Sequence, residues 1–195
     1  MMEMDIRNDE LSLKDLLCLK VFSETIGVIR LDDFTKAITD WAEREILSGE
    51  ESDTLLILAS LNLEPIPDRY DVEKYLRIYQ HENNIQNPAP NYSALVWLRI
   101  KIGYLIIASS SNEIEKRLAF FTHYFIDYSP RAFARIAGLL SNLYWVLYDE
   151  DIPIFNSRAS GMSDDELTMY VQQWCEPYYR ILINEDWLSI LAKGE

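Results

Sequence analysis

The sequence predicts an all-α protein, a globular bundle of about eight or nine helices built from helical hairpins. Two observations favour this fold class. Apolar residues recur at helical spacing in most segments between turns, and no useful stretch alternates apolar and polar residues as a half-buried strand does. No repeat of fixed period is present. With 195 residues, of which 49% are hydrophobic and 26% charged, the chain is long enough to bury a substantial core.

The first predicted elements are a helix and a helical hairpin. After a polar lead-in at residues 1–10, Ser12 and Asp15 have the spacing of a capping box, and Gly27 is the expected end of that helix. Residues 32–63 then form two predicted helices, the first of which ends near Gly49. Five apolar residues give this helix one buried face: Phe34, Ala37, Ile38, Trp41 and Ala42.

The second helix of the hairpin begins at Ser52, whose hydroxyl can accept a hydrogen bond from the free N–H groups of the first turn. It is predicted to be buried on more than one side, because its apolar residues are spread over more than one of its faces: Leu55, Leu56, Leu58, Ala59 and Leu61. Glu45 continues the apolar face of the preceding helix. Since an unpaired buried carboxylate is costly, we expect Glu45 to be a buried structural residue that accepts hydrogen bonds near residues 52–54.

The middle of the chain contains the clearest break. Pro65 and Pro67 predict an extended link, and a short amphipathic helix with Val72 and Leu76 on its apolar face follows. Residues 83–91, NNIQNPAPN, are a predicted loop, because two prolines and four asparagines favour turns. The prediction is a single all-α domain over residues 1–195, with two packed halves at about 1–82 and 92–195 as the alternative.

The rest of the chain is predicted to pack around one buried helix. Residues 92–108 are apolar almost all round, but 17 residues that include Arg99 and Lys101 are too short and too polar for a membrane span. Gly103 predicts a close helix crossing. Later helix boundaries are marked by Asn112 with Glu115, Ser129 with Pro130, Ser163 with Glu166, Pro177 as a kink or end, and Gly194 as the final stop. Residues 149–162 are expected to be a loop that folds back on the core; the alternative is that its large apolar residues contact a partner.

The charge of the chain favours a basic protein as partner. The 32 acidic and 18 basic residues give a net charge of −14, which divides into −10 for residues 1–90 and −4 for residues 91–195. Such a surface repels phosphate backbones and anionic membranes and attracts basic proteins. We therefore expect no direct nucleic-acid binding and no membrane binding. The alternative is that the negative charge serves only solubility.

Signatures of catalysis and of cofactors are missing from the sequence. His81 and His123 belong to no HExxH pair, and there is neither a CxxC motif nor a glycine-rich phosphate loop. The acidic clusters at residues 149–151 and 164–166 match no EF-hand spacing. We expect no catalytic residue, no metal and no cofactor. Cys18 and Cys175 lie in helical patterns as small apolar residues, and the acidic N-terminus resembles no signal peptide, so a cytoplasmic location is expected.

One segment resembles a known group of proteins. The pattern consists of Trp41–Ala42, Glu45–Ile46, Gly49, Ser52, Leu55 and Leu58–Ala59–Ser60–Leu61. It is similar to a segment of small helical bacterial proteins, some of which are similar to immunity proteins of toxin–immunity systems. The resemblance implies a cytoplasmic antitoxin that binds a cognate toxin domain and blocks its active site. It covers a helical hairpin and carries over no functional residue.

These observations lead to one hypothesis and two alternatives. The hypothesis is a non-enzymatic, acidic protein-binding module, in its specific form an immunity protein that binds and blocks a basic toxin domain. Its candidate binding residues are Asp40, Glu43, Glu50, Glu51 and Asp53. The first alternative is a helical scaffold or regulatory protein with another protein partner. The second is an enzyme whose carboxylates, Glu45 or the acids at 164–166, act in a helical pocket.

Overall fold

A computed structural model describes residues 11–26, 31–63, 66–122, 129–148 and 161–194. These residues form nine α-helices and no strand, which confirms the all-α fold and the expected number of helices. The helices are α1 (Leu13–Ile26), α2 (Leu31–Leu47), α3 (Asp53–Ser60), α4 (Arg69–Glu82), α5 (Pro90–Ile106), α6 (Ser111–Ala119), α7 (Arg131–Tyr148), α8 (Asp164–Leu182) and α9 (Glu185–Lys193). Short 3-10 turns at Leu61–Leu63 and Phe120–Thr122 continue α3 and α6. None of the described helices is both long and apolar enough to cross a lipid bilayer.

The chain divides into two compact units, residues 1–93 and 94–195. The predicted loop at 83–91 lies just before this division. Residues 83–89 are outside the helices, and Pro90 is the first residue of α5. Proline is favourable there because the first N–H of a helix has no partner within the helix.

The core of the first unit is the hairpin of α2 and α3, which packs with α4. The five apolar residues predicted for the buried face of α2 are all buried. In α3 the outcome differs, because Leu55 and Leu58 are completely buried whereas Leu56 is 56% exposed. The prediction that α3 is buried on more than one side is therefore wrong. This short helix has one covered face, which lies against its neighbours α2 and α4, and one open face.

The core of the second unit surrounds Trp97 on α5, which is completely buried. Its ring centroid lies 5.5, 6.0 and 6.0 Å from those of Phe120, Phe121 and Phe133. The expected burial of α5 is confirmed for most of its residues. Gly103 marks a close crossing as predicted, since a Cβ added at this position would lie 3.2 Å from the Tyr179 ring of α8.

Most predicted helix starts are confirmed, and two are displaced. The helix predicted to start with Pro130 begins one residue later, at Arg131. The Ser163 side chain accepts from the Glu166 N–H while the Glu166 side chain accepts from the Ser163 N–H, as a capping box requires. The cap predicted at Asn112 with Glu115 is wrong by two residues. Ser110 is the N-cap of α6, with its hydroxyl accepting from the Glu113 N–H at 3.3 Å. Any of the serines at 109–111 is a competent cap, so spacing alone did not fix the register.

Pro177 lies inside α8, which continues to Leu182, so this proline does not end the helix. Because proline has no N–H, the carbonyl of Gln173 lacks its usual intrahelical donor.

At the end of α5, side chains from two other helices donate hydrogen bonds to backbone carbonyls. Arg117 of α6 donates to the carbonyl of Tyr104, and Gln172 of α8 donates to the carbonyl of Ala108 at 2.9 Å. The predictions for Gly27 and residues 149–160 lie outside the described residues.

Candidate functional site

The turn between α2 and α3 brings carboxylates together on the first unit. α2 ends in a Schellman motif, in which the Gly49 N–H donates to the carbonyl of Ile46 and the Glu50 N–H donates to that of Glu45, both at 3.0 Å. Gly49 has a φ of 103°, which residues with a Cβ rarely adopt. The turn is therefore built on glycine, and it fixes the path of the chain into residues 50 and 51.

The start of α3 is held by two side-chain hydrogen bonds. Ser52 is the N-cap, as predicted, and its hydroxyl accepts from the Leu55 N–H at 3.3 Å. The hydroxyl of Thr54 lies 3.1 Å from a carboxylate oxygen of Glu82 on α4, to which it donates. These bonds tie the end of the turn to the body of the first unit.

A surface concavity of about 610 Å³ opens beside this turn. Its lining includes Ile46, Glu50, Glu51, Asp53 and Leu56, and we call these five residues the α2–α3 loop surface. The three acidic residues are exposed, and the Leu56 side chain, which lines the same concavity, is 56% exposed. The surface thus combines exposed apolar area with carboxylates. Exposed apolar groups with a polar rim are typical of protein-binding surfaces.

The five predicted binding residues divide into two groups. Glu50, Glu51 and Asp53 lie together on the α2–α3 loop surface. Asp40 and Glu43 lie elsewhere, on the side of α2 that faces Asn62. Asp40 is half-buried and pairs with Lys36 at 3.0 Å, and Glu43 accepts from the Asn62 amide at 2.5 Å.

Glu45 differs from its predicted environment. It is half-buried, and within the described part of the chain its carboxylate accepts no hydrogen bond from residues 52–54. Its backbone carbonyl is used instead, in the Schellman motif. The carboxylate acts on Tyr79 of α4, whose pKa is raised by burial and then by the charges of Glu50 and Glu45. The Tyr79 ring packs edge-on against Trp41, with 5.5 Å between the centroids.

A second candidate site, in the second unit, was missed by the sequence analysis. The Lys101 ammonium lies 5.6, 5.9 and 5.3 Å from the ring centroids of Trp97, Tyr104 and Phe120. Two of these rings come from α5 itself, four residues before and three residues after Lys101. That spacing places the two rings on the same face of the helix as Lys101, and it is the feature of the sequence that could have indicated this site. Phe120 comes from the turn after α6, and nothing in the spacing of α5 indicates it.

The electrostatics of Lys101 are unusual for a lysine. The residue keeps partial exposure to solvent, but its ammonium group is surrounded by protein atoms. This burial, followed by the positive charge of Arg117, lowers the pKa of Lys101 to about 8. None of the ion pairs in the described part of the chain involves Lys101. The amine is therefore much closer to its neutral form at physiological pH than an exposed lysine is.

A smaller groove of about 490 Å³ lies along α8. It is lined by Ile106, Gln172, Gln173, Glu176, Pro177 and Arg180. The Arg180 guanidinium pairs with the Glu176 carboxylate at 2.8 Å, and Gln172 is engaged by the end of α5. Its charged side chains are thus already paired with each other, and the groove has no excess charge to select a ligand.

The other acidic residues and the histidines considered as candidates from the sequence do not come together in the part of the chain that the structure describes. No group of three His, Cys, Asp or Glu side chains in the described ranges could hold a metal ion. Residues 164–166 are exposed at the start of α8, where hydrogen bonds from Ser163 lower the pKa of Glu166. His81 is exposed on α4. Residues 149–151 and His123 lie outside the described residues.

Comparisons with protein-family models, with curated proteins and with solved structures find no match for this chain. Its function is therefore inferred from its own surfaces. The α2–α3 loop surface is acidic and exposed, whereas the Lys101 site is aromatic and cationic. The two sites lie in different units and suit different ligands.

Proposed function

We propose that this chain is a non-catalytic protein-binding module whose α2–α3 loop surface docks on a basic protein. One observation carries the proposal: the exposed acidic residues 50, 51 and 53 and the exposed Leu56 side chain line the same concavity. An apolar contact supplies area that leaves water on binding, and the charges select the sign of the partner. A basic surface that also presents an apolar side chain is the complementary partner.

The local charge supports a basic partner. Residues 40–53 contain six acids and one base, Arg44. The Arg44 side chain donates to the carbonyl of Leu11 at 2.7 Å, so its guanidinium is directed to the segment before α1. Acidic charge in excess attracts a basic protein over a range of about 8 Å at physiological ionic strength. Its main effect is on the rate of association.

The hydrogen bonds of the turn support a surface formed before binding. The Schellman motif, the Ser52 cap and the bond between Thr54 and Glu82 all restrain the chain that carries the carboxylates. A partner then has few backbone conformations to restrict when it binds. The remaining cost is the ordering of a few exposed side chains, which is about 0.5–1.5 kcal/mol for each long side chain.

In its narrower form the proposal is an immunity protein. Its carboxylates would occupy the basic surface that a toxin domain uses for a phosphate substrate. Two features support this form: the resemblance of residues 41–61 to proteins similar to immunity proteins, and the location of the acidic surface in the same residues. A scaffold or regulatory protein would use the same surface without inhibiting its partner. An enzyme that uses Glu45 or residues 164–166 has less support, because these carboxylates do not converge.

The test is association kinetics with the product of the neighbouring gene, measured across a salt series. The variant Glu50→Lys with Glu51→Lys should associate roughly 10-fold more slowly, and salt should slow association of the natural chain more than it speeds dissociation. The matched control is Asp165→Lys with Asp186→Lys, which makes the same charge change at exposed sites of the second unit. Equal slowing by both variants, a salt-independent rate or no binding would contradict the proposal. Inhibition of the partner's activity separates an immunity protein from a scaffold.

A further inference from the structure

We propose that Lys101 is a nucleophilic lysine that forms an imine with small aldehydes. The geometry that carries this inference is the position of its amine over three aromatic rings, one of which, Tyr104, also has the Arg117 guanidinium over it. Within the described residues no carboxylate forms an ion pair with Lys101. The site lies in the second unit, and the inference is independent of the proposed docking function.

A lysine attacks a carbonyl group only as the neutral amine. Apolar surroundings and a neighbouring cation are the two arrangements that favour this form, and Lys101 has both. Burial and Arg117 lower the pKa of Lys101 to about 8. At pH 7 roughly 9% of such an amine is neutral, against about 0.04% for a lysine of ordinary pKa. The ring faces attract the protonated form, and the burial and the Arg117 charge act against that attraction.

The groups around Lys101 explain why this state persists. Arg117 faces it from α6, with its guanidinium carbon 5.5 Å from the Tyr104 ring centroid. Glu113, the nearest acid on α6 to Arg117, pairs with Arg117 and accepts from the Ser109 N–H at 2.7 Å. Tyr104 is the titratable neighbour on α5, and the turn at Phe120–Thr122 contributes no titratable group. Arg117 also donates to the Tyr104 carbonyl, which holds the cation in place.

The reaction needs no oxidant or reductant. The nitrogen lone pair forms a bond to the aldehyde carbon, and the carbonyl electrons move to oxygen, which receives a proton from the nitrogen. Loss of the second amine proton and of the hydroxyl group releases water and leaves the carbon–nitrogen double bond. Small aldehydes are the expected class, because Lys101 is only partly exposed and the rings restrict access.

The experiment uses the intact protein with isotope-labelled formaldehyde as the probe. Cyanoborohydride traps the imine by transferring hydride to its carbon, and peptide mass mapping locates the first methyl group. At pH 7 we expect Lys101 to react at least about 10-fold faster than the exposed Lys116 and Lys193. This is less than the ratio of neutral amines, since a less basic amine is a weaker nucleophile. The Lys101 rate should reach half its maximum near pH 8, as its pKa of about 8 requires.

A variant tests the role of the neighbouring cation. Arg117→Gln retains a donor for the Tyr104 carbonyl but removes the charge, so labelling of Lys101 at pH 7 should fall several-fold. Arg180→Gln, at an exposed arginine of α8, is the control and should leave the rate unchanged. Labelling of Lys101 no faster than that of Lys116, or the same pH profile for both, would overturn the proposal. If Arg117→Gln does not fold, the pH profile of the natural chain decides.

Discussion

The backbone N–H of Glu50 donates to the carbonyl of Glu45 at 3.0 Å, and this bond closes the turn that carries the α2–α3 loop surface. The two acidic residues are thus linked through the backbone. Glu50 contributes its side chain to the exposed surface, whereas Glu45 contributes its carbonyl to the turn. The turn depends on Gly49, whose φ of 103° is unfavourable for any residue with a Cβ.

Gly49→Ala should lower the free energy of unfolding by about 1–2 kcal/mol, because alanine is strained at a positive φ. Urea denaturation measures the change. Gly138→Ala in α7 is the matched control: an added Cβ there meets no described atom within 4 Å. Since alanine is favoured inside a helix, the control should raise stability by up to about 1 kcal/mol. Equal effects of the two substitutions would mean that the turn does not depend on glycine.

Glu45→Ala should change stability by less than about 1 kcal/mol, since the half-buried carboxylate has no hydrogen bond to residues 52–54 in the described part of the chain. Hydrogen bonds to residues 52–54, which the sequence predicts, would give a larger loss. Thermal denaturation distinguishes the two. The substitution should also lower the pKa of Tyr79, because it removes a negative charge that disfavours ionisation of the phenol.

Lys101→Met should raise the free energy of unfolding at pH 7 by roughly 1–3 kcal/mol, because it removes a buried ammonium but keeps most of the length of the side chain. Compared with the variant, the natural chain should gain stability as pH rises from about 8 towards the ordinary pKa of lysine. In this window the Lys101 amine binds more protons in the unfolded state, since its folded pKa is lowered to about 8. The variant should lose this gain. Ionisation of the unfolded Cys175 thiol lowers the stability of both proteins in the same window, because burial raises its folded pKa to about 12, and this effect cancels in the comparison.

Urea denaturation at pH 7.0 and 9.5 measures both effects of Lys101→Met. The upper value stays below pH 10, where ionisation of unfolded tyrosines begins to lower stability, because burial raises the pKa of Tyr148 to about 12 in the folded state. Lys116→Met, at an exposed site on α6, is the control and should show neither effect. A parallel pH dependence of Lys101→Met and the natural chain would show that Lys101 has an ordinary pKa.

Both cysteines should resist thiol reagents in the native protein at pH 8 and react after unfolding. Cys18 and Cys175 are each 0% exposed, which confirms their predicted burial as apolar residues. Burial raises the pKa of the Cys175 thiol to about 12, and the thiolate is the reactive form. Labelling with iodoacetamide, followed by intact mass, measures the outcome. Rapid modification of either residue before denaturation would contradict the observed packing.

The sequence was sufficient where one helix face determines packing. The buried residues of α2 repeat with the period of the helix, so their pattern identifies the face directly. In α3 the pattern failed, because leucine is present on both faces and the sequence does not show which one a neighbour covers. Leu56 therefore remained indistinguishable from Leu55 until the positions of α2 and α4 were known.

The candidate sites were predictable only where their residues are close in sequence. Glu50, Glu51 and Asp53 occupy one turn, and the sequence placed them together. Asp40 pairs with Lys36, and Glu43 accepts a hydrogen bond from Asn62, so these two acids lie apart from the other three. The contact to Asn62 depends on how α3 folds back on α2. The Lys101 site needs Phe120, which is 19 residues away and belongs to another element. Helical periodicity carries no information on such contacts.

The end of α5 has a consequence for the synthesis of the chain. The carbonyl of Ala108, two residues after α5, receives a hydrogen bond from Gln172, which is 64 residues later in the sequence. While the ribosome is still adding those residues, α5 can form, but this carbonyl must rely on water. The segment after α5 should thus reach its final state only after Gln172 of α8 has emerged, and a chain arrested before residue 172 should expose this segment to proteases.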